Sequence, residues 1–334
     1  RALRSSDRDR ERSAIPKASL KDVVLADQSK EQILQLVHFE KARQLLFAHW
    51  GFDGVRHTHT MLGDASIASG TVAVFYGPKG CGKALAAEAI AYELGRTIRE
   101  MNLSDLLLRW VSGVSGSAIS ASRWLCSFFS LAQECGSVVV VRGAEGLFSD
   151  EVRKAIESYQ PLGLSDLNNG NTSFGILETF VQQIRRYSGV TILLSNDSAG
   201  GQDQESSFDA DRSVSNFSES IRFAVKFEHP NVNLRKELWG KLVPSKMPLL
   251  APLDYTSLAV QFPLFTGASI RSVVVRTAEL AALRQPKSED KSSSAQQSHA
   301  VTLKDFEKAA YVEQRIIESR KGRYQSFSHE GIYN

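Results

Sequence analysis

Apolar residues along the chain form short continuous runs, and these alternate with stretches of helical spacing. Four runs rich in β-branched residues have the length of buried strands, and they lie at 71–77, 137–141, 190–197 and 221–227. The stretch 20–52 repeats its apolar residues near every 3.6 positions, which predicts a helix, and a second helix is predicted over 83–94. Short buried strands alternating with helices predict a parallel sheet covered on both faces.

The pattern changes from about Asn231 onward, where no convincing strand follows. Three segments there have helical character: "LRKELWGKLV", "SIRSVVVRTAELAALRQ" and "LKDFEKAAYVEQRIIESR". The sequence therefore predicts an α/β core over 20–230 and a small helical domain over 231–323.

Four polar stretches interrupt or flank these two parts. Residues 1–19 are Ser-rich and mixed in charge, which predicts a disordered tail or linker. A basic arm for an acidic partner is the alternative, although its Asp and Glu residues dilute the positive charge. Residues 149–173 are a polar, turn-rich insertion in the core, and 286–299 are a low-complexity flexible loop. Residues 324–334 are predicted to be a C-terminal tail.

The composition of the chain mainly excludes certain classes of protein and site. The net charge of +3 over 334 residues is too small to indicate a nucleic-acid partner. No apolar run approaches the roughly 18–20 residues of a membrane span, so a soluble protein without membrane insertion is expected. The cysteines Cys81, Cys126 and Cys135 have no metal-ligand spacing and are odd in number, which favours a reducing compartment such as the cytosol or an organelle interior. His57 and His59 lack partners at metal spacing.

The segment between the first predicted strand and its helix fits the phosphate-loop pattern G-x-x-x-x-G-K. Its glycines allow backbone N–H groups to turn around phosphates, and the helix directs its positive N-terminus toward them. Lys83 would reach the β- and γ-phosphates. A glycine-rich turn without a ligand is the alternative. The candidate nucleotide-binding residues of this segment are Gly77, Pro78, Lys79, Gly80, Cys81, Gly82, Lys83 and Ala84.

Seven segments, in this order, resemble motifs of the AAA+ ATPase family, and most closely bacterial-type proteins with a single AAA module. They are "AHWGFDG", "GPKGCGKALAAEAIAYELG", "SVVVVRGAEGLFSD", "VTILLSND", "IRFAVKFEHPN", "FTGASIRSVVVRTAELAAL" and "VTLKDFEKAA". The resemblance covers about 20–323 and implies a P-loop NTPase core, a parallel sheet covered by helices, followed by a helical lid. It assigns Asn196 as sensor 1 and Arg271 as the sensor-2 arginine. Trp110 matches a pore-facing aromatic, with packing against its own domain as the alternative.

The chain departs from the family at its catalytic positions. Ala84 replaces the hydroxyl residue that binds Mg²⁺, and Arg142 stands where the family's magnesium-ordering aspartate belongs. Gly143 occupies the position of the glutamate that polarises water. Glu145, two residues on, is a poor substitute because alternation changes its direction. These replacements predict that hydrolysis is lost or strongly reduced.

The positions of the family's arginine fingers are also altered. They read Glu219 and Ser220, and nearby Arg222 aligns with a strand residue instead. Because fingers serve the neighbouring protomer, the chain is expected neither to hydrolyse ATP nor to assist a neighbour. The expected partners are other protein subunits, in a mixed AAA+ ring, a tandem module or a large complex.

The function hypothesis is a catalytically impaired AAA+ subunit that holds ATP or ADP statically, or keeps only the fold, in a larger assembly. In one version the Arg142 cation partly replaces Mg²⁺. In another, Arg142 pairs with Glu145 or an acidic residue of the insertion, and the pocket is empty. An active AAA+ motor or chaperone with an unusual site is the first alternative. A nucleotide-free scaffold that uses 149–173 as its contact is the second.

Overall fold

The computed structural model describes residues 13–50, 70–111, 117–148, 176–196, 220–283 and 300–330. Within these ranges, five strands form one sheet in the order β2-β3-β4-β1-β5, and every neighbouring pair is parallel. The strands are β1 Thr71–Gly77, β2 Ile98–Asn102, β3 Val138–Arg142, β4 Val190–Asn196 and β5 Ile221–Lys226. The predicted parallel sheet is therefore confirmed.

Among the described residues, six α-helices accompany the sheet, and a π-helical turn, Leu45–His49, continues the first of them. Side chains that alternate along each strand form apolar surfaces on both faces of the sheet. The α-helices are α1 Asp27–Gln44, α2 Lys83–Glu93, α3 Leu103–Val111, α4 Ser117–Glu134, α5 Glu145–Phe148 and α6 Ile176–Arg186. In β3, Val138 and Val140 pack on the face that carries α1 and α2. Val139 and Val141 pack on the opposite face with α3, α4 and α6. The core thus forms two apolar layers with the sheet between them.

The edge strand β2 is absent from the sequence prediction because it contains Arg99, Glu100 and Asn102 and does not read as a buried run. Its inward side chains are nonetheless buried, with Arg99 5% and Met101 4% exposed. The Arg99 guanidinium lies 5.4 Å from the centroid of the Phe128 ring, which provides a cation–π contact inside the apolar layer.

Part of the predicted N-terminal tail lies against the core. Ala14 and Ile98 exchange two backbone hydrogen bonds of 2.8 Å at the free edge of β2. The N–H groups of Lys17 and Ala18 donate to Glu88 Oε1 at 2.9 and 3.4 Å. An edge strand presents unpaired backbone groups, which explains why this polar segment is ordered. Residues 1–12 lie outside the described part of the chain.

A buried carboxylate joins α1 to the amino-terminal end of the sheet. Glu40 has a fully buried side chain, and its Oε2 accepts a hydrogen bond of 3.2 Å from Arg96 Nη1. Its Oε1 accepts a hydrogen bond from Thr71 Oγ1 and lies 3.5 Å from Arg43 Nη1. Arg43 also donates to Ser188 O at 2.6 Å. This cluster lies at the end of the sheet opposite the phosphate loop.

The region after β5 is helical, with its own apolar core. It contains α7 Val232–Leu242, α8 Tyr255–Gln261, α9 Gly267–Ala282 and α10 Leu303–Glu330. Trp239, Phe262, Phe265 and Phe306 are the largest side chains buried there. The seven-residue helix α8 is absent from the sequence prediction, and α10 continues to Glu330 through residues predicted to be a tail.

Both insertions predicted from the sequence, 149–173 and 286–299, lie outside the residues that the structure describes. Of the helices that it does describe, none has the length and apolar content needed to span a membrane.

Candidate nucleotide-binding site

The phosphate loop connects β1 to α2 and depends on glycines in the left-handed region. Gly77, Gly80 and Gly82 have φ values of 133°, 90° and 97°, which L side chains rarely adopt. Gly82 is the N-cap residue of α2, and no side chain caps this helix. The first-turn N–H groups of α2 are therefore available to an anion at the loop.

The loop lies where the core meets the helical region. A Cβ on Gly77 would collide with the backbone of Phe227, and a Cβ on Gly80 would lie 2.6 Å from Thr266 Oγ1. The N–H of Ala268, in the first turn of α9, donates to Gly80 O at 3.2 Å. Gly80 is thus required both for its backbone angle and for the close approach of α9.

Two side chains of the loop are buried. The Lys83 ammonium donates to the carbonyl oxygens of Gly77 and Pro78, the latter at 2.8 Å. Burial raises the pKa of the Cys81 thiol from 9.0 to about 11, and the nearby charge of Lys83 opposes that rise. The thiol stays protonated at neutral pH and fills space, whereas Lys79 is exposed.

The position after the lysine and the end of β3 supply no oxygen ligand. Ala84 places a methyl group at the start of α2, against the apolar layer. Arg142 forms an ion pair with Glu100 of the neighbouring strand, and the two side chains are 53% and 42% exposed. The sequence alternatives named Glu145 or the insertion as the partner; in the structure the partner is Glu100.

Gly143 adopts a backbone conformation unsuited to the family's catalytic glutamate. Its φ is 73°, and a Cβ there would lie 3.1 Å from Asn102 Oδ1 and 3.5 Å from Ser104 Oγ. A glutamate at this position would carry left-handed strain of about 1–2 kcal/mol and a tight contact. The backbone conformation of Gly143 and the space around it therefore disfavour a carboxylate side chain at this position.

Asn196 ends β4 directly beside the loop, since it is paired in register with Gly77. Its backbone N–H donates to Glu145 Oε2 at 3.1 Å, which links α5 to the end of β4. From its position in the sequence, Glu145 is a poor substitute for the catalytic glutamate. The structure shows it bound to the sheet, so its contact is structural.

Two arginines considered from the sequence, Arg271 and Arg222, make their described contacts away from the phosphate loop. Arg271 is exposed on α9 and lines a shallow pocket of about 310 Å³ with Ser272, Val275, Arg276 and Glu279; none of these residues belongs to the phosphate loop. The Arg222 guanidinium lies 3.9 Å from the centroid of the Phe39 ring.

Trp110 occupies the last turn of α3, but its side chain lies outside the described structure. Its predicted pore-facing role therefore stays a prediction.

Among the described residues, the phosphate loop fits phosphate, whereas the two positions that match the family's magnesium-ordering residues offer no oxygen side chain. Positive-φ glycines, uncapped amides and the Lys83 ammonium form a cationic cradle. Mg²⁺ requires oxygen ligands, whereas Ala84 offers a methyl group and Arg142 a cation. Within the described ranges, no group of three or more His, Cys, Asp or Glu is arranged to hold a metal ion.

Fold and loop together define a P-loop α/β protein. Residues 73–154 match the model of the "ATPase family associated with various cellular activities (AAA)". A katanin chain, solved to give the structural basis for katanin self-assembly, matches with a TM-score of 0.55 and 19% identity, over 88% of this chain and 84% of that chain. No curated protein sequence matches. Residues 73–154 are therefore similar to the AAA family, and the fold over most of the chain is like that of katanin.

Proposed function

We propose that this chain is a hydrolysis-silent AAA+ subunit that holds ATP or ADP without Mg²⁺ as a structural part of a larger assembly. One observation carries the proposal: a complete phosphate loop adjoins a metal position with no oxygen ligand. The loop keeps its three left-handed glycines, while Ala84 and Arg142 occupy the metal-ordering positions.

In this proposal the bound nucleotide supplies negative charge to a cationic cradle. Lys83 would exchange its carbonyl partners for phosphate oxygens, and the first amides of α2 would complete the contact. Asn196 lies at the end of the sheet from which the phosphate loop leaves, and its side-chain amide is a hydrogen-bond donor. In the structure Arg271 lines a surface pocket that contains no residue of the phosphate loop. Its contact with the nucleotide therefore stays a prediction.

The assembly belongs to the proposal as well. Self-assembly is what the matched structure describes for katanin. For this chain, the replaced fingers at Glu219 and Ser220 favour a mixed ring, a tandem module or a large complex over a homohexameric motor. Sedimentation of the purified chain as a homohexamer with ATPase activity would contradict this part. The helical region would act as the lid over the loop.

Bound nucleotide is the measurement that tests the proposal. We expect natively purified protein to release ATP or ADP on acid treatment, in equal amounts with and without EDTA washing. The Lys83→Ala variant is expected to bind a fluorescent ADP analogue roughly 10- to 100-fold more weakly, because it loses charged hydrogen bonds to phosphate. Lys79→Ala, on the exposed side of the same loop, is the matched control with a smaller change.

Three outcomes would contradict the proposal in different ways. Complete loss of nucleotide on chelation would show that metal is needed after all. Absence of nucleotide binding by the wild-type chain would favour the scaffold alternative. Sustained ATP turnover under saturating ATP would favour the motor alternative.

A further inference from the structure

We propose that Glu100 is a positioning residue that restrains Arg142 and thereby sets how strongly the site prefers ATP to ADP. This inference rests on the proposed function, since it concerns the same nucleotide. Glu100 lies on the edge strand β2, whose polar sequence does not read as a buried strand. The contact that carries the inference is the ion pair between Arg142 Nε and the Glu100 carboxylate.

The sheet order places the phosphate loop and Glu100 on opposite sides of Arg142. Strand β3 lies between β2, which carries Glu100, and β4, beyond which β1 leads into the loop. With strands about 4.8 Å apart, β1 is about 10 Å from β3, so an arginine side chain that extends toward β1 crosses part of the gap to a phosphate held by the loop. The ion pair draws the guanidinium the other way.

Arg142 lies on the appropriate face of the sheet for a phosphate contact. It shares the side-chain direction of Val138 and Val140, which pack against the layer containing α2. The loop residue Cys81 and the first-turn residue Ala84 belong to or contact that same layer. The guanidinium therefore needs a change of partner and no change of face to approach a bound nucleotide.

The present partner is one that phosphate can displace. Both side chains of the pair are about half exposed, and ion pairs of that kind are weak in water. A guanidinium binds phosphate oxygens through two parallel hydrogen bonds. A polyphosphate also carries more negative charge than one carboxylate, so it attracts the guanidinium more strongly. Asn102, paired with Arg142 in register, is neutral, and its Oδ1 accepts the N–H of Ser104.

The preference for ATP follows from where the metal would sit. In P-loop enzymes the metal bridges the β- and γ-phosphates, and Arg142 occupies the position of a metal-ordering residue. A guanidinium released there would gain most from the γ-phosphate. Glu100 therefore competes directly with the group that distinguishes ATP from ADP.

Binding of fluorescent ATP and ADP analogues in EDTA to the full chain tests the inference. We expect Glu100→Gln to tighten ATP binding roughly two- to fivefold, the range set by a surface ion pair, and to tighten ADP binding less. Glu100→Ala should behave alike. Glu228→Gln, which removes the exposed partner of Lys226 beside β5, is the charge-matched control and should change neither affinity.

A double-mutant comparison separates positioning from a general charge effect. In an Arg142→Gln background, the Glu100→Gln substitution should no longer alter the ratio of ATP to ADP affinity. An unchanged ratio on Glu100→Gln alone, or an equal shift in both backgrounds, would overturn the inference while leaving the proposed function intact. Failure of the wild-type chain to bind either nucleotide would overturn both.

Discussion

The Glu40→Ala variant is expected to lose about 3–5 kcal/mol of its free energy of unfolding, the cost of removing one partner from a buried ion pair. The Glu40 side chain has no exposed surface, and its two oxygens receive contacts from Arg43, Thr71 and Arg96. Its removal leaves the Thr71 hydroxyl and the largely buried Arg43 guanidinium without this carboxylate, while the Arg96 side chain is partly exposed. Urea denaturation followed by circular dichroism gives the value.

Two further variants distinguish charge from packing at this cluster. Glu40→Gln keeps a side-chain oxygen for Thr71 and is expected to be less destabilising than alanine. Glu237→Ala removes the exposed partner of Lys241, whose ion pair spans 3.0 Å on α7, and should cost no more than about 1 kcal/mol. Equal losses in Glu40→Ala and Glu237→Ala would refute the structural role given to Glu40.

The chain is expected to lose about 4 kcal/mol of stability between pH 8 and pH 11 through two buried groups. Burial raises the pKa of Cys81 from 9.0 to about 11 and that of Tyr187 from 10.0 to about 12. In the unfolded chain both groups release their protons first as the pH rises. The unfolded state then binds fewer protons than the folded state, so the free energy of unfolding falls with rising pH.

The pH range over which stability is lost follows from the pKa values of Cys81 and Tyr187. Stability is full below pH 9 and declines through the folded pKa values, with the Cys81 contribution lost before that of Tyr187. Urea midpoints measured from pH 8 to pH 11 give the slope. The double variant Cys81→Ala, Tyr187→Phe should show a clearly shallower slope, although it also removes the hydrogen bond from the Tyr187 hydroxyl to Ser137 O. Parallel slopes would refute the assignment.

The features that could be predicted from sequence are those coded by contiguous residues. The phosphate loop needs only a strand, a glycine-rich turn and a helix in succession, and the stretch from β1 to α2 contains all three. The central strands are buried on both faces and therefore read as continuous apolar runs. These two signals were sufficient for the α/β fold.

The features that escaped prediction depend on which elements become neighbours. Strand β2 is polar because it lies at the edge, and its register with β3 decides that Glu100 meets Arg142. Helix α8 is too short for a periodic pattern. The approach of Ala268 to Gly80 joins residues nearly two hundred positions apart, and no local pattern encodes it.

The hydrogen bond between Ala268 and Gly80 connects the phosphate loop directly to helix α9. It is formed by a main-chain N–H and a main-chain carbonyl, so exchange of the side chain at Ala268 leaves it in place unless proline removes the donor. This connection between the loop and α9 therefore does not depend on which side chains line the nucleotide site. We therefore expect a displacement of the phosphate loop to reach the first turn of α9 through this main-chain contact, whichever side chains line the site.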